Sequence, residues 1–86
     1  MRFIFTQRVH TSVNEDHCFA KDIVESIKKF CRNDWGIIEA EDKQTNENAI
    51  KNGGRIFGAY TTCRGKIYII TEWDKSATTV LFSDEY

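Results

Sequence analysis

Between positions 15 and 32, apolar residues recur at the spacing of an amphipathic helix. The residues at i, i+4, i+8 and i+11 are Phe19, Ile23, Ile27 and Phe30. They share one side of a helix, and acidic residues precede them while basic residues follow, as the helix dipole favours. We therefore predict a helix over 15–32, with Asn14 as its N-cap. The polar stretch between Thr6 and this helix predicts irregular chain or a short helical turn.

A second helix is predicted over residues 40–52, but its pattern is mostly polar. Ala49 and Ile50 are its main apolar positions, so it can bury only a narrow edge and should lie on the surface. Gly53 supplies the backbone freedom that ends a helix. At the other end of the chain, residues 2–6 (RFIFT) form a short run typical of a strand.

The last third of the chain predicts a β-meander. The segments RIFGAYTTC and KIYIITEW flank Arg64-Gly65, which reads as a two-residue hairpin turn with Tyr60 opposite Ile69. A second turn at residues 74–76 returns the third strand, ATTVLF. The expected fold is α+β: a three- to four-stranded, mainly antiparallel sheet with one amphipathic helix on a face and a second, polar surface helix.

Alternation along these strands makes both faces of the sheet apolar. The first predicted face carries Ile56, Tyr60, Ile67, Ile69, Trp73, Ala77 and Leu81. The second carries Phe57, Ala59, Tyr68, Ile70, Val80 and Phe82. One amphipathic helix can cover one face. The other must be covered by the loop around Trp35 or by another chain, so a homodimer through this face or an open strand edge is a second expectation.

Composition indicates one small globular domain, residues 1–86. The chain is 41% hydrophobic and 29% charged with a net charge of −1, so no bulk basic field attracts nucleic acid. Three cysteines without CxxC spacing are expected as reduced thiols in a cytoplasmic protein. The start of the chain lacks the apolar run of a signal peptide, and no segment has the length of a membrane span.

Candidate chemistry is sparse. Glu72 and Asp74 have the spacing of paired carboxylates, which can act in general acid/base catalysis, but acids also commonly cap a strand end and turn. His10, His17 and Cys18 do not match the spacing of a structural zinc site. No nucleophile motif or phosphate-binding loop completes an enzyme. We expect no catalytic, metal or cofactor site.

Two charged surfaces suggest two classes of partner. Lys28, Lys29 and Arg32 form a small basic corner that would suit a dimeric nucleic-acid-binding regulator, which is the alternative function. Acids combined with aromatic residues would suit a protein partner instead. The expected partner-binding residues are Glu72, Trp73, Asp74, Glu41, Asp42, Glu47 and Trp35.

The last two thirds of the chain resemble a family of short "plasmid-related" proteins from bacterial plasmids, phages and conjugative elements. The resemblance rests on the Asp34-Trp35-Gly36 step, the Glu41-Asp42 helix start, the Lys51-Asn52-Gly53 helix end, and the segments ITEWD (70–74) and SATTVLF (76–82). It implies an accessory protein of a mobile element with no established enzymatic activity. Small proteins of such elements are often counter-defence factors, including anti-CRISPR inhibitors, and this association makes a subunit of a host CRISPR or other defence nuclease complex the expected target.

Overall fold

The computed structural model describes residues 2–86, which form an α+β fold. Its sheet has the strand order β1-β4-β3-β2. The strands are β1 (Phe3–Phe5), β2 (Ile56–Thr62), β3 (Gly65–Thr71) and β4 (Thr78–Phe82), and the helices are α1 (Gln7–Glu15), α2 (His17–Cys31) and α3 (Ala40–Asn52), followed by a 3-10 turn at Ser83–Glu85. The meander β2-β3-β4 is antiparallel and β1 joins β4 in parallel, so the sheet is mixed.

The N-terminal segment forms a strand that is followed directly by a helix. The predicted strand exists, and the polar stretch after it is a full helix, α1, rather than irregular chain. The Thr6 hydroxyl accepts a hydrogen bond from the Val9 N–H at 3.3 Å and caps α1. Val9 is fully buried, Val13 packs against the same core and Ser12 is also buried, so a narrow stripe of side chains and a cap dock this short, mostly polar helix.

The amphipathic pattern produces α2, which begins later than predicted. Its N-cap is Asp16, whose carboxylate accepts hydrogen bonds from the N–H groups of Cys18 and Phe19, whereas Asn14 lies within α1. Phe19, Ile23 and Phe30 are buried. The predicted helical stripe is therefore confirmed. The predicted N-cap, Asn14, is wrong because α1 extends to Glu15 and leaves Asp16 as the first residue available to cap α2.

The hairpin between β2 and β3 turns one position earlier than predicted. Thr62 pairs with Gly65, and Tyr60 lies opposite Ile67 rather than Ile69. Gly65 has a φ of +114° and follows the two turn residues instead of occupying the turn. This register differs from the predicted one by two residues, and a slip of two preserves which side chains share a face.

The turn between β3 and β4 changes the predicted faces. The Glu72 N–H donates to the Ala77 carbonyl at 3.0 Å, and Ile69 pairs with Val80. The loop is thus one residue longer than the predicted one, with Lys75 at a φ of +62°. A shift of the β3–β4 register by one residue moves every β4 side chain to the opposite face of the sheet. The assignment of Ala77 and Leu81 to one face and of Val80 and Phe82 to the other is therefore exchanged relative to β3.

We call the two sides of the sheet the inner face and the outer face. The inner face packs against α1 and α2 in one core cluster. Its buried members from the sheet are Tyr60, Ile67, Ile69, Val80 and Phe82. The outer face carries Phe57, Ala59, Tyr68, Ile70 and Leu81.

The outer face is covered only partly, by α3 and the C-terminal residue. α3 has the predicted bounds and ends before Gly53. Its buried Asn46 donates to the Phe57 carbonyl at 2.7 Å and accepts from the Phe57 N–H at 2.9 Å. A side-chain amide thus pairs with the edge of β2 that faces away from β3, as another strand would. The Tyr86 ring packs edge-on against Tyr68, with ring centroids 5.7 Å apart.

A short segment before α3 covers the next position of the same edge. The Ala59 N–H donates to the Trp35 carbonyl at 3.0 Å, and the Ile37 N–H donates to the Ala59 carbonyl at 2.9 Å. Gly36 lies between them with a φ of +74°, and a Cβ there would come within 2.0 Å of the Ala59 carbonyl oxygen. Only glycine permits this approach of two backbones.

Candidate partner-binding surface

The β3–β4 turn presents Trp73 to solvent from a hydrogen-bonded loop. The Lys75 N–H donates to the Glu72 carbonyl at 2.9 Å, and the Ser76 N–H donates to the Asp74 carboxylate at 3.0 Å. These bonds define the loop while Trp73 remains 68% exposed. The three predicted contact residues at 72–74 therefore lie together on one turn.

The same turn is tied to the connection between α3 and β2. The Lys75 Nζ donates to the Gly54 carbonyl at 3.1 Å. Next to it, an Arg55 guanidinium nitrogen donates to the Tyr86 hydroxyl at 3.4 Å. Tyr86 is 69% exposed. The turn that carries Trp73 is thus bonded to Gly54 through Lys75, and Tyr86 is bonded to the next residue, Arg55. We call the surface formed by Gly54, Arg55, Glu72–Ser76 and Tyr86 the aromatic end.

The acids of α3 differ in their relation to this surface. Asp42 lines a groove of about 340 Å³ that also includes Arg55 and Tyr86. Glu41 and Glu47 are exposed elsewhere on the helix. The groove lies between α3 and the outer face, where Phe57 and Ile70 are its phenyl and aliphatic lining, and the polar residues Thr45 and Asn46 complete it.

Trp35 is not at the surface, contrary to its predicted place among the contact residues. It is 4% exposed and belongs to the inner core with Phe30 and Tyr60. The Tyr60 hydroxyl donates to the Asp34 carbonyl at 2.7 Å, which fixes the chain where Trp35 enters the core. An aromatic residue beside a glycine in a loop suits either an anchor or a core residue, and the edge pairing of this segment directs the ring inward.

Paired-carboxylate chemistry receives no support from the geometry of the turn. Hydrogen bonds from the Ser76 hydroxyl and N–H lower the pKa of Asp74, and so hold it ionised as part of the loop. A general acid at neutral pH needs the opposite shift. Glu72 is half-buried at the end of β3. The pair is better suited to charge contacts with a partner than to proton transfer.

Cys18 and Cys63 lie close together at the end of the meander opposite the Trp73 turn. Their spacing in the sequence did not predict this proximity. The side-chain ligand atoms of Asp16, Cys18 and Cys63 all lie within 4.8 Å of one another. The hydrogen bond with the Cys18 thiol, together with desolvation and the nearby carboxylates of Asp16 and Asp22, raises the pKa of Cys63 to about 12. His10 and His17, the predicted companions of Cys18, are not in this cluster. The observed hairpin register is what places Cys63 in the turn beside α2.

The basic corner keeps Lys28, Lys29 and Arg32 at the end of α2. Lys28 is 3.6 Å from the Glu25 carboxylate, one turn earlier on the helix. All three basic residues are exposed. This is the ordinary arrangement of a helix C-terminus, where cations interact favourably with the dipole.

The expected homodimer stays a prediction, and the structure narrows where it would form. Asn46 and the segment around Gly36 pair with the β2 edge at Phe57 and Ala59. The opposite edge is the short strand β1, where Phe3 is 38% and Ile4 is 37% exposed. The β1 edge is therefore the second candidate interface for a homodimer, besides the outer face.

Comparison of the chain with protein-family models, with curated proteins and with solved structures found no match. Within residues 2–86, none of the helices has both the length and the apolar content needed to cross a membrane.

Proposed function

We propose that this protein is a non-catalytic binding protein whose aromatic end docks on a protein target. The observation that carries the proposal is the 68% exposure of Trp73 on a turn held by its own hydrogen bonds. Exposing a tryptophan costs free energy that burial would recover, and tryptophan is enriched among residues that dominate binding energy. The loop is already ordered, so docking would cost little conformational entropy.

The charge around Trp73 favours a basic target surface. Glu72 and Asp74 flank the indole, and the nearby cations are already engaged: Lys75 with the Gly54 carbonyl and Arg55 with the Tyr86 hydroxyl. Both cations keep their charge but are hydrogen-bonded at the α3–β2 connection, so Glu72 and Asp74 are the charges that stand directly beside the indole in the chain. Complementary charge increases the association rate and excludes unsuitable partners.

The resemblance to mobile-element proteins directs the proposal to a host defence nuclease complex, with anti-CRISPR inhibition as its specific form. RNA-guided effectors hold their nucleic acid in a positively charged channel. An exposed tryptophan flanked by two carboxylates is chemically suited to occupy part of such a channel. Inhibition would follow from competition with nucleic acid and would require no catalysis by this chain.

Substitution of Trp73 tests this proposal. The purified protein is titrated into reconstituted CRISPR effector complexes of several types, with target cleavage and direct binding as readouts. We expect one type to be inhibited, and Trp73→Ala to weaken binding by about 30-fold or more, the loss typical of a residue that dominates an interface. Ile37→Ala is the control, because Ile37 is 59% exposed outside the aromatic end.

Equal inhibition by the wild type and Trp73→Ala would refute the proposed surface. Absence of binding to every effector tested would refute the CRISPR target. Salt-dependent binding of labelled DNA that is lost in Lys29→Ala would instead support the alternative, a nucleic-acid-binding regulator.

A further inference from the structure

Two of the chain's three cysteines converge from distant segments onto one carboxylate. Cys18 is in the first turn of α2, and Cys63 is in the turn between β2 and β3. The Cys63 sulfur lies 3.9 Å from an Asp16 carboxylate oxygen, although these residues are 47 positions apart. The Cys18 sulfur completes a triangle in which no two ligand atoms are more than 4.8 Å apart.

This spacing is close to that of a bound zinc ion. With Zn–S near 2.3 Å and Zn–O near 2.0–2.2 Å, tetrahedral geometry separates two sulfurs by about 3.8 Å and a sulfur from an oxygen by about 3.5 Å. The observed Cys63–Asp16 distance is 3.9 Å. Small side-chain rotations at exposed positions would bring all three atoms into coordination range.

The surrounding hydrogen bonds hold the three residues in place. One Asp16 oxygen accepts from the Cys18 N–H at 2.9 Å, and the other accepts from the Arg64 Nε at 3.0 Å. The Cys63 N–H donates to the Asp22 carboxylate at 2.8 Å. Such partners fix the orientation of ligands in metal sites.

We propose that Cys18, Cys63 and Asp16 bind a thiophilic divalent cation of the zinc class, with a fourth coordination position left to solvent or a partner. Two sulfurs and one carboxylate form a ligand set that zinc accepts. Asp16 and Asp22 place negative charge beside the sulfurs, where a dication would replace the thiol protons. The expectation of no metal site rested on sequence spacing, which does not relate Cys18 to a turn far along the chain.

The bound ion would join the start of α2 to the β2–β3 turn. Arg64, in the same turn, is within 3.4 Å of a Glu15 carboxylate oxygen and 3.2 Å of the Ser12 hydroxyl. The turn is thus already attached to the α1–α2 junction by polar contacts. The ion would add a stronger link at the same place and stabilise the folded chain by binding it in preference to the unfolded one.

Cobalt and zinc titrations test the site on the full chain kept reduced with a phosphine. Co²⁺ reports thiolate ligands through its charge-transfer absorption, and Zn²⁺ competition gives the affinity. We expect one ion per chain, a rise in the unfolding temperature with Zn²⁺, and a loss of affinity of about tenfold or more in each of Cys18→Ser, Cys63→Ser and Asp16→Asn. Cys31→Ser is the matched control, since Cys31 is also a free, exposed cysteine but lies at the far end of α2.

Three results would overturn the proposal. The first is failure of the reduced wild type to bind Co²⁺ or Zn²⁺ at micromolar concentration. The second is an affinity that is unchanged in Cys63→Ser or reduced in Cys31→Ser. The third is a Cys18–Cys63 disulfide that forms in air while the reduced protein shows no thiolate-to-metal absorption. Because Cys18 and Cys63 are exposed, the serine variants should fold, and their thermal unfolding without metal verifies this.

Discussion

The inner and outer faces of the sheet are built from the same strands but are covered in different ways. Along β3, Ile67 and Ile69 are fully buried against the two N-terminal helices, whereas Tyr68 between them is half-buried. Large apolar side chains from α1 and α2 fill the inner side. The outer side has a polar helix, one amide and a C-terminal tyrosine, and between them a groove of about 340 Å³ remains.

The difference shows how an 86-residue chain distributes a limited set of apolar residues. Its one strongly amphipathic helix packs against the inner face. α3 has little apolar surface, and the buried Asn46 attaches it to the β2 edge through two backbone hydrogen bonds. The hydrogen-bonded amide thus adds to the small hydrophobic contact that the buried Ala49 supplies. On the outer face Ala59, Ile70 and Leu81 are nevertheless buried. What stays accessible there is the groove beside the half-buried Phe57.

Neighbouring isoleucines on β3 give the sharpest test of this contrast. Ile69 is fully buried in the inner core, and Ile70 is 4% exposed but lines the open groove. Ile69→Ala should cost about 4 kcal/mol and Ile70→Ala about 2 kcal/mol, because a closed cavity is more costly than a widened groove that water can enter. Urea denaturation at neutral pH measures both. Equal costs, or a larger cost for Ile70→Ala, would mean that the outer face is packed as tightly as the inner one.

A smaller effect is expected where α3 meets the sheet. Asn46→Ala should destabilise the protein by about 1–3 kcal/mol, because the Phe57 N–H and carbonyl both lose their partner. Asn48→Ala, at an exposed position of the same helix, should stay within about 0.5 kcal/mol. Hydrogen exchange of the Phe57 amide should accelerate only in the first variant. If that amide stays protected in Asn46→Ala, another contact holds α3 in place.

The smallest effect concerns the C-terminal cover of the outer face. Tyr86→Ala removes the edge-on ring contact with Tyr68 and should cost about 0.5–1.5 kcal/mol. Tyr86→Phe keeps the ring and loses only the 3.4 Å hydrogen bond from Arg55, so a cost below about 0.5 kcal/mol is expected. Thermal unfolding compares the two. A Phe variant as unstable as the Ala variant would show that the hydroxyl, rather than the ring, stabilises this end.

Local patterns predicted the elements that depend on local interactions. The periodicity of α2, the bounds of α3 and the strand at the N-terminus are all confirmed. The prediction missed α1 because only Val9 and Val13 recur at helical spacing in a segment that is otherwise polar, which is a weak periodic signal. The turn after β3 was predicted at Asp74-Lys75-Ser76, which has ordinary turn chemistry, but Trp73 belongs to this exposed loop and not, as predicted, to a face of the sheet.

The remaining differences come from interactions between segments. One extra residue in the β3–β4 loop turned Val80 and Phe82 to the inner face. Trp35 entered the core because its backbone pairs with Ala59, a contact no local pattern contains. The clustering of Cys18 with Cys63 likewise depends on the register of the β2–β3 hairpin and on the position of α2.

By itself, the sequence determined where the chain would be helical or extended and that the sheet would be apolar on both sides, because periodicity and turn chemistry act over a few residues. Tertiary structure decided which β4 side chains face the helices, that Trp35 is buried while Trp73 is exposed, and which thiols meet. Those outcomes depend on strand register and on contacts between distant segments. A shift of one residue in a loop reverses a face, and that shift is decided by the packing of the whole molecule.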